Sequence, residues 1–286
     1  MSYRPRPTRR RTRGQMETIR EAIYRVTQAQ HPMTVRQVFY QLVSIGAIEK
    51  AEAEYKQTVV RLLTLMRRSR ELPFGWIADN TRWMRKPRTY SSVEELLQRT
   101  AQTYRRALWD NQPAYVEVWL EKDALAGVVY EETDPWDVPL MVTRGYPSLS
   151  YLFEAAETIA ECGKPAYLYY LGDWDPSGVD ITRSVERGVR EFAPNAEIEL
   201  ERIAVTPRQV EELGLPTRPT KKTDTRSKNF SGESVEVDAI PPALLRALVR
   251  ECIEKHVDRR TLARTRRIEA AERETLVAIQ QQMQGW

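Results

Sequence analysis

The chain has 286 residues, of which 29% are charged and 41% hydrophobic, enough to bury one large core or two modest ones. Its net charge is +4 and its pI about 9.0. With two histidines (His31, His256) and two widely separated cysteines (Cys162, Cys252), it offers little for multi-histidine metal sites, histidine-based triads or zinc knuckles. No apolar run approaches the ~18 residues of a membrane span, and the Arg-rich start lacks the apolar segment of a secretory signal. A reduced, cytoplasmic protein without a membrane partner is expected.

Residues 1–14 crowd Arg4, Arg6, Arg9, Arg10, Arg11 and Arg13 around Pro5 and Pro7, the composition of a disordered basic arm. A helix is expected from Gln15 to Gln30, with Ile19, Ile23 and Val26 on one side. Thr34 is a good N-cap for a second helix ending at Gly46. In it Val35, Val38, Phe39, Leu42 and Val43 form an apolar stripe. Tyr40 falls off the stripe, one turn from Arg36, and reads either as a surface residue or as a positioned hydroxyl. A third helix, Ala53 to Arg70, has an apolar face (Val59, Leu62, Leu63, Met66) and basic residues Arg61, Arg67, Arg68 and Arg70. Leu72 to Asn80 reads as a short strand and turn, followed by Trp83, Arg85, Lys86 and Arg88. Three short helices and a basic, aromatic β-ribbon fit a winged helix-turn-helix that binds DNA through Arg61, Arg67 and Arg68; a helical subdomain with a solvated basic face is the plainer reading.

A connecting helix, Val93 to Leu108, ends at Asp110-Asn111-Gln112-Pro113, where the boundary between a first domain (15–110) and a second (111–286) is expected. Val116, Val118 and Leu120 then alternate in a strand ending at Glu121-Lys122-Asp123. A second strand, Val138 to Thr143, leads through Arg144-Gly145-Tyr146-Pro147-Ser148 to a helix from Leu149 to Ala160. Ala166 to Gly172 is a third strand, followed by Asp173-Trp174-Asp175 and by Pro176-Ser177-Gly178, which turns the chain into a helix from Val179 to Phe192. Glu197 to Val205 reads as a fourth strand, and alternation of strands with helices implies an α/β fold with a parallel sheet covered on both faces. Residues 216–232, with Lys221 and Lys222, read as a phosphate-contacting loop or as a solvated linker. Val235 to Ile240 is expected to be a last strand. Its Glu236 and Asp238 either add to an acidic site or lie on the surface. Helices from Pro242 to His256 and from Arg260 to Gln282 close the chain.

Functional residues of parallel sheets lie beyond the strands' carboxyl ends. Glu121 ends one strand and Asp173 and Asp175 end another, so the three carboxylates can share one edge. Asp173 and Asp175, two apart in extended chain, point the same way. Paired carboxylates are costly without a cation between them, which points to a hard divalent metal; Asp, Pro, Ser and Gly are also ordinary turn residues.

The glutamate closing Val118-Trp119-Leu120-Glu121-Lys122-Asp123, with Gly172-Asp-Trp-Asp-Pro-Ser-Gly178, resembles a Toprim domain, the metal-binding, Rossmann-like, mostly parallel fold of topoisomerases, primases and some nucleases. Thr34-Val-Arg36-Gln-Val-Phe39-Tyr40 resembles the tyrosine motif of the winged-helix domain in the topoisomerase VI A subunit, whose relatives include the meiotic double-strand-break transesterase. The order of the two modules and Arg144-Gly145-Tyr146-Pro147 agree with that family. Phe39 stands where paired tyrosines are common, the chain is shorter than a typical A subunit, and it has no ATPase domain of its own. The resemblance implies an enzyme: a type IIB topoisomerase-like transesterase of double-stranded DNA, with Tyr40 as nucleophile, Arg36 beside it, and Mg2+ on Glu121, Asp173 and Asp175. It also implies a homodimer that places the tyrosine of one subunit beside the metal of another, nucleoid association, and a separate B-type ATPase partner for strand passage. A Mg2+-dependent nuclease using water and a non-catalytic DNA-binding module are the alternatives.

Overall fold

The computed structural model describes residues 11–78, 87–220, 230 and 233–283. Four strands form one all-parallel sheet in the order β2-β1-β3-β4: β1 (Tyr115–Leu120), β2 (Leu140–Val142), β3 (Ala166–Leu171) and β4 (Ile198–Ala204). From β1 the chain winds outward to β2 and then crosses to β3 on the other side, so the topological switch point falls between β1 and β3. Every residue of β1 is buried, because this central strand is covered on both faces. Along β1, Val116, Val118 and Leu120 face one core, while Tyr115 and Trp119 face the other.

The second of these cores is closed by α6 (Leu149–Cys162) and α7 (Pro176–Phe192). The first is larger. It joins α5 (Ala126–Thr133) and α9 (Pro242–Glu254) to the N-terminal helices α1 (Arg13–Gln30), α2 (Val35–Ser44) and α3, so one continuous core runs from Ile19 to Ile253. α3 begins as a π-helical turn, Glu54–Val60, and continues as α-helix over Arg61–Arg68. Thr12, Thr34 and Thr206 each close a capping box with a glutamine three residues on, which fixes the starts of α1, α2 and α8 (Pro207–Glu212). Both cysteines are free thiols, with Cys252 in the core. Among the described residues no helix is long and apolar enough to cross a membrane.

Three expectations need correcting. Val235 to Ile240 is no strand: Ser234 and Val235 make single bridges to Arg218 and Trp174, and Val237–Ala239 is a 3-10 turn. The Val237 N–H is taken by the Asp173 side chain at 2.9 Å instead of a ladder partner. The strand expected from Leu72 is a 3-10 turn, Phe74–Trp76, set by Pro73 and Gly75, with only Ile77 bridged to Met33; residues 79–86, including Trp83, Arg85 and Lys86, lie outside the described residues. Helix α4 (Val93–Thr103) stops short of Leu108 because α10 (Arg259–Met283) captures the following backbone: Arg273 donates to the Tyr104 carbonyl at 2.8 Å and Glu269 accepts from the Arg106 N–H at 2.9 Å. Glu117, the one charged residue of β1, is buried with the rest of the strand. It is 1% exposed and accepts hydrogen bonds from the Tyr115 hydroxyl (2.9 Å) and the Trp119 indole (2.8 Å).

Candidate active site at the carboxyl ends of the strands

β1 and β3 end side by side at the switch point, where the Glu121 N–H donates to the Leu171 carbonyl at 2.9 Å. The Glu121 carboxylate turns over the end of β3 and accepts the Asp173 N–H at 3.0 Å. It lies so close to the backbone that a Cβ on Gly172 would meet it at 2.5 Å. Asp175 caps α7, accepting the Gly178 N–H at 2.8 Å, and Pro176 occupies the first turn. A Cβ on Gly178 would sit 2.2 Å from the Asp173 carbonyl oxygen, so here glycine is a requirement of space. Gly178→Ala is expected to destabilise the protein by ~1–3 kcal/mol, the cost of forcing backbone apart. A urea midpoint equal to wild type would show that the loop yields freely.

The same loop is clamped from β4. The Arg202 guanidinium donates to the carbonyls of Gly172 (3.0 Å), Asp173 (3.1 Å) and Gly178 (2.6 Å) and to the Thr182 hydroxyl (2.6 Å). Its acceptors are all neutral. Burial lowers its pKa, opposed by the charges of the surrounding acids, Glu121, Asp173 and Asp175 among them. Sequence reasoning missed Arg202, although a signal was present. Glu197, Glu199 and Glu201 mark the outward parity of β4, and Arg202 shares the inward parity of Ile198 and Leu200.

On the side facing α2, a cluster of ion pairs spans the molecule. Arg36 forms a fork on Glu236, with Nε to Oε2 at 3.1 Å and Nη2 to Oε1 at 3.2 Å, and reaches Glu52 at 3.5 Å. Lys122 Nζ lies 3.0 Å from Asp173, 3.3 Å from Glu236 and 2.9 Å from Asp238. Arg218 joins Glu236 (3.1 Å) to Asp175 (3.5 Å). Asp173 and Asp175 therefore both reach this cluster, each through a different cation. Glu236 and Asp238 are buried in it and are not surface residues. Burial pushes the Glu236 carboxyl up, but Lys122, Arg36 and Arg218 outweigh it and hold it down at about 2.

Tyr40 is 3% exposed, which excludes the surface reading. Its ring packs edge-on against Phe39, with the Lys50 ammonium 5.6 Å from the ring centroid. Burial raises the phenol pKa, and Glu236 adds to the shift; Arg36 and Lys122 oppose it. The tyrosine helix and the acidic edge are thus linked within one chain through Arg36–Glu236–Lys122–Asp173. On α3, Arg61 and Arg68 are exposed, whereas Arg67 is half-buried with its guanidinium 4.7 Å from the Phe74 ring centroid. Lys221 and Lys222 lie outside the described residues.

Glu121, Asp173 and Asp175 are oxygen donors of the kind a hard divalent ion takes. Burial pushes the Glu121 carboxyl up to about 7, with the charges of Asp173 and Asp175 adding to the shift, a strain that a cation would relieve. Donor chemistry thus fits, although among the described residues no three His, Cys, Asp or Glu side chains are gathered into a cage. Burial likewise raises Glu117 to about 7. Both groups bind a proton more tightly folded than unfolded, so their stabilising contribution is full below about pH 4.5 and is lost as pH rises through 7. In chelator, unfolding free energy is expected to fall over that window by on the order of 1–3 kcal/mol per group. Glu117→Gln and Glu121→Gln should each flatten the slope in urea titrations. A slope unchanged in both variants would contradict these shifts.

Compared with known protein families, the sequence matches none, and no curated protein matches it.

Proposed function

We propose that the protein is a DNA-cleaving transesterase resembling the topoisomerase VI A subunit, with Tyr40 as nucleophile. The observation that carries this reading is the convergence of a buried tyrosine, its neighbouring Arg36 and the carboxylates of Asp173 and Asp175 on one ion-pair cluster, with Glu121 held against the Asp173 backbone. A phenol is a weak nucleophile at neutral pH, and the raised pKa of Tyr40 makes assistance from its surroundings a requirement. In the proposed step the phenolic oxygen bonds to phosphorus, the bond to the deoxyribose oxygen breaks, the phenol loses its proton and the leaving oxygen gains one. One phosphodiester becomes one phosphotyrosyl ester, so the reaction can reverse. Arg36 orients the phosphate beside the tyrosine, as a planar fork suited to that anion. Mg2+ on Glu121, Asp173 and Asp175 would neutralise charge on the transferring group.

In this reading the helices α1 to α3 and the acidic sheet edge correspond to the winged-helix and Toprim modules, and the exposed Arg61 and Arg68 contact the duplex backbone. A homodimer cuts both strands, and strand passage calls for a B-type ATPase subunit. The test is a covalent-adduct assay with supercoiled plasmid and Mg2+, quenched with detergent and resolved with and without protease. One observation favours a second reading: Glu121, a carboxyl near neutrality beside Asp173, suits a general base that activates water in a Toprim-type nuclease. Cutting that survives Tyr40→Phe would support it.

A further inference from the structure

Glu236 is the one carboxylate that meets all three cations of the cluster, which are otherwise divided among Glu52 on Arg36, Asp173 and Asp238 on Lys122, and Asp175 on Arg218. Its Oε1 accepts from Arg36 Nη2 (3.2 Å) and Arg218 Nη1 (3.1 Å), and its Oε2 from Arg36 Nε (3.1 Å) and Lys122 Nζ (3.3 Å). A carboxylate offers about four lone-pair directions. Four contacts from charged donors therefore meet it, from three separate elements: α2, the end of β1 and the segment before Pro219. A guanidinium fork supplemented by a second arginine and a lysine is the chemistry that recognises a phosphate.

The surroundings suit an exchange of anions. The backbone around Glu236 is fixed independently of its carboxylate: Trp174 and Val235 exchange hydrogen bonds at 2.8 and 2.9 Å, Arg218 and Ser234 do so at 2.8 Å, and the Val237 N–H is held by Asp173. The side chain can thus rotate away without unfolding its segment. Arg218 is 39% exposed, and a cleft of about 150 Å³, lined by Asp175, Pro176, Ser177 and Thr220, reaches it from solvent. A phosphodiester carries one negative charge, as the Glu236 carboxylate does, so replacing one by the other leaves the charge of the cluster unchanged. The position is also one helical turn from the nucleophile proposed above, since Arg36, which holds Glu236, precedes Tyr40 by four residues on α2.

We infer that Arg36, Lys122 and Arg218 form a phosphodiester-binding site which Glu236 of the same chain fills, and from which a DNA backbone phosphate displaces it. This deepens the transesterase reading and rests on it for the identity of the phosphate, but the anion site itself is testable without cleavage. The probe is dimethyl phosphate, a phosphodiester monoanion with no base to read and no strand to cut. Binding is followed by calorimetry and thermal shift in chelator. Glu236→Gln is expected to bind it at least ~10-fold more tightly than wild type, a difference of about 1.4 kcal/mol. Arg36→Met placed on Glu236→Gln should abolish the gain, and neutral trimethyl phosphate should not distinguish the proteins. If Glu236→Gln is too unstable to purify, Glu236→Asp serves: it keeps the charge in the cluster but withdraws the carboxylate by one methylene, and should show the same gain. Equal affinity in wild type and in the purified variant, or a gain indifferent to Arg36→Met, would overturn the inference. An adduct formed by wild type together with no gain would remove this site and leave the transesterase. A gain without any adduct would do the reverse.

Discussion

Tyr40→Phe is expected to abolish the covalent protein–DNA adduct while leaving the fold and duplex binding intact. The ring of Tyr40 is a core element, packed on Phe39 and under Lys50, and phenylalanine preserves that packing. What is lost is one oxygen, the atom proposed to bond to phosphorus. Removing a nucleophile costs at least ~10³-fold, and as much as ~10⁶-fold where it works in concert with its neighbours. Adduct should therefore fall below detection in the detergent-quenched assay. Asp173→Ala should lose it as well, by removing one proposed oxygen donor and a partner of Lys122. Protein-free ends from both wild type and Tyr40→Phe would assign the cutting to water and to Glu121. An adduct that persists in Tyr40→Phe would place the nucleophile elsewhere.

The largest effect on stability is expected at Lys122. Its ammonium is the cation nearest to Asp173 and Asp238 and shares Glu236 with two arginines, and the side chain is three-quarters covered. Burial lowers its pKa, but the Asp238, Asp173 and Glu236 charges outweigh this and raise it above the ordinary lysine value. Lys122→Met would leave Asp173 and Asp238 beside Glu236 with their common cation gone. Breaking a buried ion pair by removing one partner costs ~3–5 kcal/mol. The deficit should be largest near pH 7 and shrink toward pH 5, because burial pushes the Asp173 carboxyl up and without Lys122 it can take up a proton. Urea titrations at the two pH values measure it. A loss under ~1 kcal/mol, independent of pH, would mean that water already screens the cluster.

The strand ends were legible because their chemistry and their periodicity agree. An apolar run stopping at Glu121, and another stopping at Gly172 before Asp173 and Asp175, located the edge of a parallel sheet, and the structure has both strands there as neighbours. Thr34 announced the start of α2 as its N-cap, and the structure completes it with a capping box to Gln37. What stayed illegible was set by partners distant in sequence. Alternation suggested a strand at Val235 to Ile240, but Asp173 takes the Val237 N–H that a ladder would have used. Period alone placed Tyr40 off the apolar stripe of α2, whereas the 3-10 turn carrying Asp238 and the cluster around Glu236 cover that side of the helix. Nothing in the sequence around Glu117 marks it as buried; Tyr115 and Trp119, two positions away on either side, hydrogen-bond it there.

The order in which the cluster's members are synthesised differs from the order in which they pair. Arg36 finds its fork 200 residues further along the chain, and Lys122 meets Asp238 after 116. A growing polypeptide that has reached residue 230 already carries these two cations but neither of the acids Glu236 and Asp238. Closing such long loops is entropically expensive and rewarded only when the last contact is made. Assembly of the tyrosine against the acidic edge is thus a late event in the life of each chain. A fragment ending before Glu236 would hold every residue of the tyrosine and Asp-x-Asp motifs and still lack the anion that joins them.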